Sequence, residues 1–315
     1  MKEKMNIKEL KLFRTVLLCF CTALLLVTLT GCDSSSKPED DENSIKVLQE
    51  KAAGGDAAAM VKLGRMFLTG GEDVEINYAE ALKWFEAASV KGSAEAMAYC
   101  GYVLYYGGHG VEKDEPKALS YYKASAEKGD RLGQFLYGQS LLADGNRVAA
   151  TMWLEKSAEQ GLLTAQLALG DLYYEQNSGA DSANAVKWYK RAADQECAAA
   201  MNNLAYLWAE QGKELDKALV WAGKAVSMEP ENGAFADTLG WVMFKQGRYN
   251  EALGRLTEAA KLNSENVSIL DHLGEAYLKL GKKTEAAQYW KQALEQSGDG
   301  EFNEKIQQKL NALNK

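Results

Sequence analysis

A glycine returning every 32 to 37 residues restricts the fold of this chain more than any other feature. The glycine that follows a leucine-rich half turn recurs at Gly64, Gly101, Gly138 and Gly170, and the series continues at Ala205, Gly240 and Gly274. An aromatic early in the following helix keeps the same step at Trp84, Tyr121, Trp153 and Trp188. A closing glycine stands eight residues beyond three of these, at Gly92, Gly129 and Gly161. Three markers in phase define a repeated supersecondary unit, and such a unit buries its apolar face only by stacking on its neighbours.

Each unit reads as two helices. In the first, Ala57, Met60, Leu63, Gly64 and Phe67 fall at helical spacing until Gly70-Gly71 stops them. Ala81, Trp84, Phe85 and Ala88 carry the second helix to Gly92, a natural C-terminus. A glycine inside a helix costs about 1 kcal/mol against alanine, so its return at one position points to a crossing where a side chain would hold two backbones apart. The prolines agree, with Pro38 ahead of the repeats, Pro116 opening a helix and Pro230 following one. Stacked units need covered ends. Residues 44–53, with Ile45, Leu48, Ala52 and Ala53, read as a lone helix over the first unit, and Phe302, Ile306, Leu310 and Leu313 form one apolar stripe after the break at 297–300. The expected fold is all-α: a right-handed α-α superhelical solenoid of about seven helix-turn-helix repeats with capping helices.

Two stretches resemble known families. Residues 44–196 resemble Sel-one-like repeats: Leu104-Tyr105-Tyr106-Gly107-Gly108-His109-Gly110-Val111, then Asp114 and Lys117-Ala118, matches that family's loop, and Lys83-Trp84 and Lys187-Trp188 match its second helix. Residues 197–296 resemble tetratricopeptide repeats, through Asp237-Thr238-Leu239-Gly240-Trp241 with Gly247-Arg248-Tyr249 and Glu251-Ala252-Leu253. Ile269-Leu270-Asp271-His272-Leu273-Gly274 with Glu285-Ala286-Ala287 repeats that form, and residues 297–315 complete the chain as the capping helix. The third unit departs with a short loop, Ala143-Asp144-Gly145-Asn146, and the fourth has Glu196 in place of its closing glycine.

The tetratricopeptide resemblance implies a binding groove lined by the first helix of each pair. Its register places Asn202 and Tyr206 of the fifth unit there, with Asp237, Trp241, Phe244 and Lys245 of the sixth and Asp271, Glu275 and Lys279 of the seventh. Tyr102, Tyr105, Tyr106 and Tyr174 fall near the same wall in earlier units. Large aromatics among charges of both signs suit peptide or protein partners. Trp241 has two readings, a groove anchor or a residue packed against the neighbouring helix.

Chemistry is sparse by comparison. The two histidines, His109 and His272, stand far apart in sequence; the first belongs to the glycine loop and the second reads as a packing or solvent-edge residue. No metal-ligand spacing, phosphate loop or nucleophile constellation is present in the sequence, so neither cofactor nor metal is expected. Gly107-Gly108-His109-Gly110 follows a helix rather than the strand a dinucleotide loop requires. The expectation is a protein-binding scaffold and not an enzyme; the alternative is an accessory subunit of one envelope complex serving secretion, pilus or cell-wall assembly.

The N-terminus sets the expected compartment. Lys2, Lys4, Lys8, Lys11 and Arg14 precede an uncharged, leucine-rich run from Thr15 to Thr30, short for a membrane span and right for a signal-peptide core. It runs into Leu29-Thr30-Gly31-Cys32, which resembles a bacterial lipobox, with residues 1–31 as the leader and 32–43 as an acidic tether. The other reading is an uncleaved signal anchor. The whole chain carries 36 basic and 44 acidic groups; the leader holds five and two of these, so its removal leaves 31 against 42, near −11. So acidic a chain disfavours nucleic acid and anionic headgroups, which leaves membrane attachment to the lipid. The implied location is a lipid-anchored protein of the cell membrane, facing the periplasm in a Gram-negative cell, with Asp33 favouring the inner membrane. Of five cysteines only Cys100 and Cys197 lie beyond the tether, both on apolar faces and too far apart in the repeat to pair. Cys32→Ala is expected to leave an unprocessed, unacylated precursor, read as a larger band that takes up no labelled fatty acid; normal maturation of that variant would reject the lipobox.

Overall fold

The structure, a computed structural model, describes residues 44–71, 74–176 and 179–313; the leader, residues 1–31, and the acidic tether, residues 32–43 with Cys32, lie outside the described residues. The chain divides into two compact bodies at Leu169–Gly170. The first holds α1 (Ile45–Ala53), α2 (Ala57–Thr69), α3 (Tyr78–Val90), α4 (Ala94–Tyr106), α5 (Glu115–Glu127), α6 (Arg131–Ala143) and α7 (Arg147–Glu159). Helix α8 (Leu163–Gln176) contains the division, and the second body continues with α9 (Gly179–Ala193), α10 (Ala198–Gln211), α11 (Leu215–Met228), α12 (Gly233–Lys245), α13 (Tyr249–Leu262), α14 (Val267–Lys279), α15 (Lys283–Gln296) and α16 (Gly300–Leu313). Among the described residues the architecture is helical throughout, with two isolated bridges, Gly71 to Val74 and Gly108 to Val111, closing the loops of the first two units. Seven helix pairs stand between α1 and α16, as the repeat predicts.

Local chemistry starts most first helices at the expected place. Asp56 accepts from the N–H of Ala58 and Ala59, Ser93 from Ala96, Asp130 from Gly133, Asn232 from Ala234, and Asn266 from Ser268 and Ile269. Each such cap contributes about 1 kcal/mol to helix stability. Helix ends are closed by residues in the left-handed region, Gly92, Gly129 and Gly161 among them. Glu196, which stands in that register, adopts the same conformation with φ 60° although it bears a side chain.

The core follows the recurrent glycine. A Cβ on Gly64 would collide with the Phe85 ring, on Gly101 with Tyr122, on Gly170 with Tyr189 and on Gly274 with Trp290. On Gly138 it would come 2.9 Å from Leu154 Cγ, and on Gly240 2.9 Å from Leu256 Cγ. These six bulky side chains are buried, and each is preceded and followed on its helix by small buried residues, such as Ala81 and Ala88 or Ala252 and Ala259. At the fifth unit Ala205 replaces glycine, and Ala222 stands at the register of the bulky partner; both are buried. Cys100 is buried, which pushes its thiol up to about 12. Cys197 differs from expectation: it is half-buried at the N-cap of α10 and not on the helix face.

Gly240→Leu is expected to destabilise the second body by about 1–3 kcal/mol or more through overpacking against Leu256, measured by urea unfolding. A change within about 0.5 kcal/mol, as at an ordinary surface site, would show that the crossing tolerates a side chain.

Candidate functional site

Within the second body α10 packs on α12, and α12 on α14, so the first helices of three successive units share one face. The stack aligns equivalent positions. Asn202, Asp237 and Asp271 sit three residues before the unit's small residue, and Tyr206, Trp241 and Glu275 sit one after it.

Trp241 forms the centre of this face, and it is packed. It is 8% exposed, with its ring stacked on Phe244 at 4.7 Å and on His272 at 4.0 Å between centroids. Its Nε1 donates to Glu210 Oε1 at 2.7 Å, while Lys245 Nζ lies 4.7 Å from the ring centre and 3.2 Å from the same Glu210 oxygen. Phe244 meets Tyr249 edge-on at 5.2 Å. Of the two readings of Trp241, the geometry favours packing: two rings and an ion pair, drawn from three helices, bracket it.

Asp237 is buried and engages His272 Nδ1 at 2.9 and 3.0 Å. Burial alone would lower the imidazole pKa, but the charge and hydrogen bond of Asp237, helped by Asp271 and Glu210, raise it above the ordinary histidine value. Tyr206 is half-buried, 6.4 Å from the His272 ring and edge-on to Tyr174 at 6.5 Å. Burial first and then the Glu210 charge push its hydroxyl pKa up, so it stays a neutral donor. Tyr174 is 39% exposed and Lys279 is also exposed.

Asn202 ends a buried polar chain. Tyr189 OH donates to Asp171 Oδ1 at 2.7 Å, Asn203 Nδ2 donates to the same oxygen at 3.1 Å, and Asn202 Nδ2 donates to Asn203 Oδ1 at 3.3 Å. The Asn202 carbonyl oxygen is buried and accepts no hydrogen bond among the described residues. Burial pushes the Asp171 carboxyl up to about 6 against the lowering effect of these two donors. Asp271 and Glu275 are engaged by the last helix: Lys309 Nζ lies 2.7 Å from Asp271 Oδ1 and 2.8 Å from Glu275 Oε1.

The register residues named from the sequence thus fall on helices that share one face, and His272 is packed as one of its two readings had it. Sequence reasoning missed three residues that organise the face, Asp171, Glu210 and Lys309. Glu210 and Lys245 do carry a signal, since they stand at one register position in adjacent units. In the first body, Tyr102, Tyr105 and Tyr106 form their own cluster, with Tyr105 and Tyr106 at 5.2 Å and Lys113 5.0 Å from the Tyr105 ring. His109 lies in the glycine loop with φ 47°, its ring 4.8 Å from that of Tyr78. Among the described residues no three His, Cys, Asp or Glu side chains converge as a metal site would require.

A family model of the Sel1 repeat matches residues 57–93, 94–130 and 131–162, and a tetratricopeptide repeat model matches residues 167–232. A third, for the anaphase-promoting complex, cyclosome, subunit 3, matches residues 211–293. Sel1 repeats therefore lie toward the N-terminal half and tetratricopeptide repeats toward the C-terminal half, the latter match beginning inside the fourth pair. A TPR repeat-containing protein of Pseudomonas aeruginosa is 34% identical over 77 residues, 24% of this chain and only 13% of that protein. The crystal structure of a protective antigen present in uropathogenic Escherichia coli strains, displaying an SLR fold, is 28% identical with a TM-score of 0.60. That likeness covers 79% of this chain and 56% of the antigen. A Sel1 repeat protein from Oxalobacter formigenes shares the fold at 23% identity and a TM-score of 0.51, over 78% of this chain and 90% of that one. Sel1 and tetratricopeptide repeat proteins bind other proteins or peptides, and such families are generally non-catalytic.

Trp241→Ala is expected to cost the fold about 3–5 kcal/mol, the penalty for emptying an aromatic core position, measured by urea denaturation. A loss below about 1 kcal/mol, in the range of a surface truncation, would return Trp241 to the groove-anchor reading.

Proposed function

We propose that this chain is a membrane-tethered protein–protein interaction scaffold of the bacterial cell envelope, binding partner proteins or peptides on the face shared by α10, α12 and α14. One observation carries the reading: the buried stack of Phe244, Trp241 and His272 is bordered by half-buried Tyr206 and Lys245 and by exposed Tyr174, Glu210 and Lys279. The stack resists deformation, so the rim is pre-organised and a partner loses little affinity to ordering it. Tyrosines supply apolar area with a polar tip, and charges of both signs set the direction of a bound segment. The lipobox-like Leu29-Thr30-Gly31-Cys32 and the acidic stretch after it support the tether, with Asp33 favouring the inner membrane and the periplasmic side. The acidic balance argues against nucleic acid as a partner.

A photo-activated cross-linker placed in intact cells at Tyr174 and at Lys279 is expected to yield adducts with the same partner. The same probe at Val148, 85% exposed in the first body, is expected to yield none. Tyr206→Ala is expected to weaken partner binding by about thirtyfold, as loss of an aromatic hot spot does. Adducts confined to Val148, or binding undiminished by Tyr206→Ala, would reject this face as the binding surface.

A further inference from the structure

The corner formed by Asp271, Glu275 and Trp290 holds a lysine of the chain's own last helix. Lys309 Nζ is 2.7 and 2.9 Å from the two carboxylate oxygens of Asp271, 2.8 Å from Glu275 Oε1 and 5.7 Å from the centre of the Trp290 ring. Trp290 Nε1 donates to Asp271 Oδ1 at 2.8 Å and so orients the carboxylate toward the ammonium. Two carboxylates and a ring face satisfy both the charge and the donors of one lysine. The three polar side chains keep only 19–29% of their exposure, so water screens the pair less than at an open surface.

The helix that delivers this lysine is held along one thin stripe. Ile306 is its one fully buried side chain among the described residues, in a cluster with Ala286 and Trp290, while Phe302, Leu310 and Leu313 are only partly buried at the edge of that cluster. Glu304, Lys305, Gln307 and Gln308 face solvent. Asp237 meets its base on α14, a helix locked into a complete pair, whereas Asp271 meets its base on a helix with no second helix behind it among the described residues.

We propose that this corner is a lysine-reading docking site for an amphipathic helix of a partner protein, and that α16 is its resident occupant, displaced by a partner of the same pattern. That pattern is an apolar residue, another four positions on, a lysine three further, then apolar residues one and four beyond the lysine, as in Phe302, Ile306, Lys309, Leu310 and Leu313. The inference rests on the protein-binding reading above; it concerns the α14 end of that face and has a separate readout.

The probe is a labelled synthetic peptide with the sequence of residues 299–313, titrated against the full chain. Wild type, with α16 in place, is expected to bind it at least about tenfold more weakly than the released variant Ile306→Asp/Lys309→Glu. Adding Asp271→Asn/Glu275→Gln to the released variant, or replacing lysine by methionine at position 309 of the peptide, is expected to remove at least about tenfold of that affinity. Equal binding of the lysine and methionine peptides would reduce α16 to an apolar cap and overturn the proposal. Absence of any gain on release, with helical circular dichroism intact, would overturn it too. Should the released variant lose its helical signal, Lys309→Glu alone decides: amide exchange in α16 is expected to accelerate about tenfold with α14 unchanged, and unaltered exchange overturns the proposal. Loss of the Tyr174 and Lys279 adducts with peptide binding retained would reject the wider face and leave this corner standing.

Discussion

The fold depends on one contact made repeatedly: a first helix without a side chain, pressed against a bulky side chain of the second. Gly64 with Phe85, Gly101 with Tyr122, Gly170 with Tyr189 and Gly274 with Trp290 are the aromatic forms, and Leu154 and Leu256 serve Gly138 and Gly240. Glycine in a helix costs about 1 kcal/mol, while full burial of a large apolar side chain returns about 1.5–3 kcal/mol, so the exchange is favourable at each crossing. Sizes are reciprocal. Where Ala205 takes up part of the space, Ala222 stands opposite in register, and both remain inaccessible to solvent.

A crossing fixed this closely also fixes register, and register decides which polar groups meet. Glu210 finds Lys245 and the Trp241 indole; Asp237 finds His272; Asp171 finds Asn203. Each bond joins residues about one repeat apart, so a side chain in one unit is partnered by the unit that follows it. Pairing of this kind offsets the roughly 1–3 kcal/mol that an unpaired buried polar group costs, and the Asn202 carbonyl is an exception to it. The aromatic stack is held by the same device: Glu210 on α10 and His272 on α14 grip Trp241 from the units on either side. On this face the second body pairs Glu210, Lys245, Asp237 and Asp271 within the fold, while Tyr174 and Lys279 remain exposed.

Periodicity made the helices, their pairing, the glycine crossings and both end helices legible in the sequence, because each is a local instruction repeated in phase. The partners across the face were not legible. The register that names Trp241 and Asp237 as face positions specifies a direction along one helix; whether a side chain there is open or covered depends on what the adjacent units place beside it. Asp271 and Glu275 show the same limit, since their partner comes from α16, which the apolar stripe identified as a cap but whose Lys309 lies beside that stripe. Glu196 was legible as a departure from the closing glycine, yet only the backbone shows that it takes the glycine conformation with φ 60°.

The two ends of the described chain are covered according to what the end units leave open. The first unit offers apolar side chains, Met60 and Leu63 among them, and α1 answers with Leu48 and Ala52. The seventh unit offers, besides apolar area, a carboxylate that in the sixth unit is met by a base one repeat further on. Helix α16 resolves this by carrying Ile306 for the apolar area and Lys309 for the charge on one short segment. Lys309 of α16 thus does for Asp271 what His272 of α14 does for Asp237, with the base supplied by a helix that also covers the apolar area.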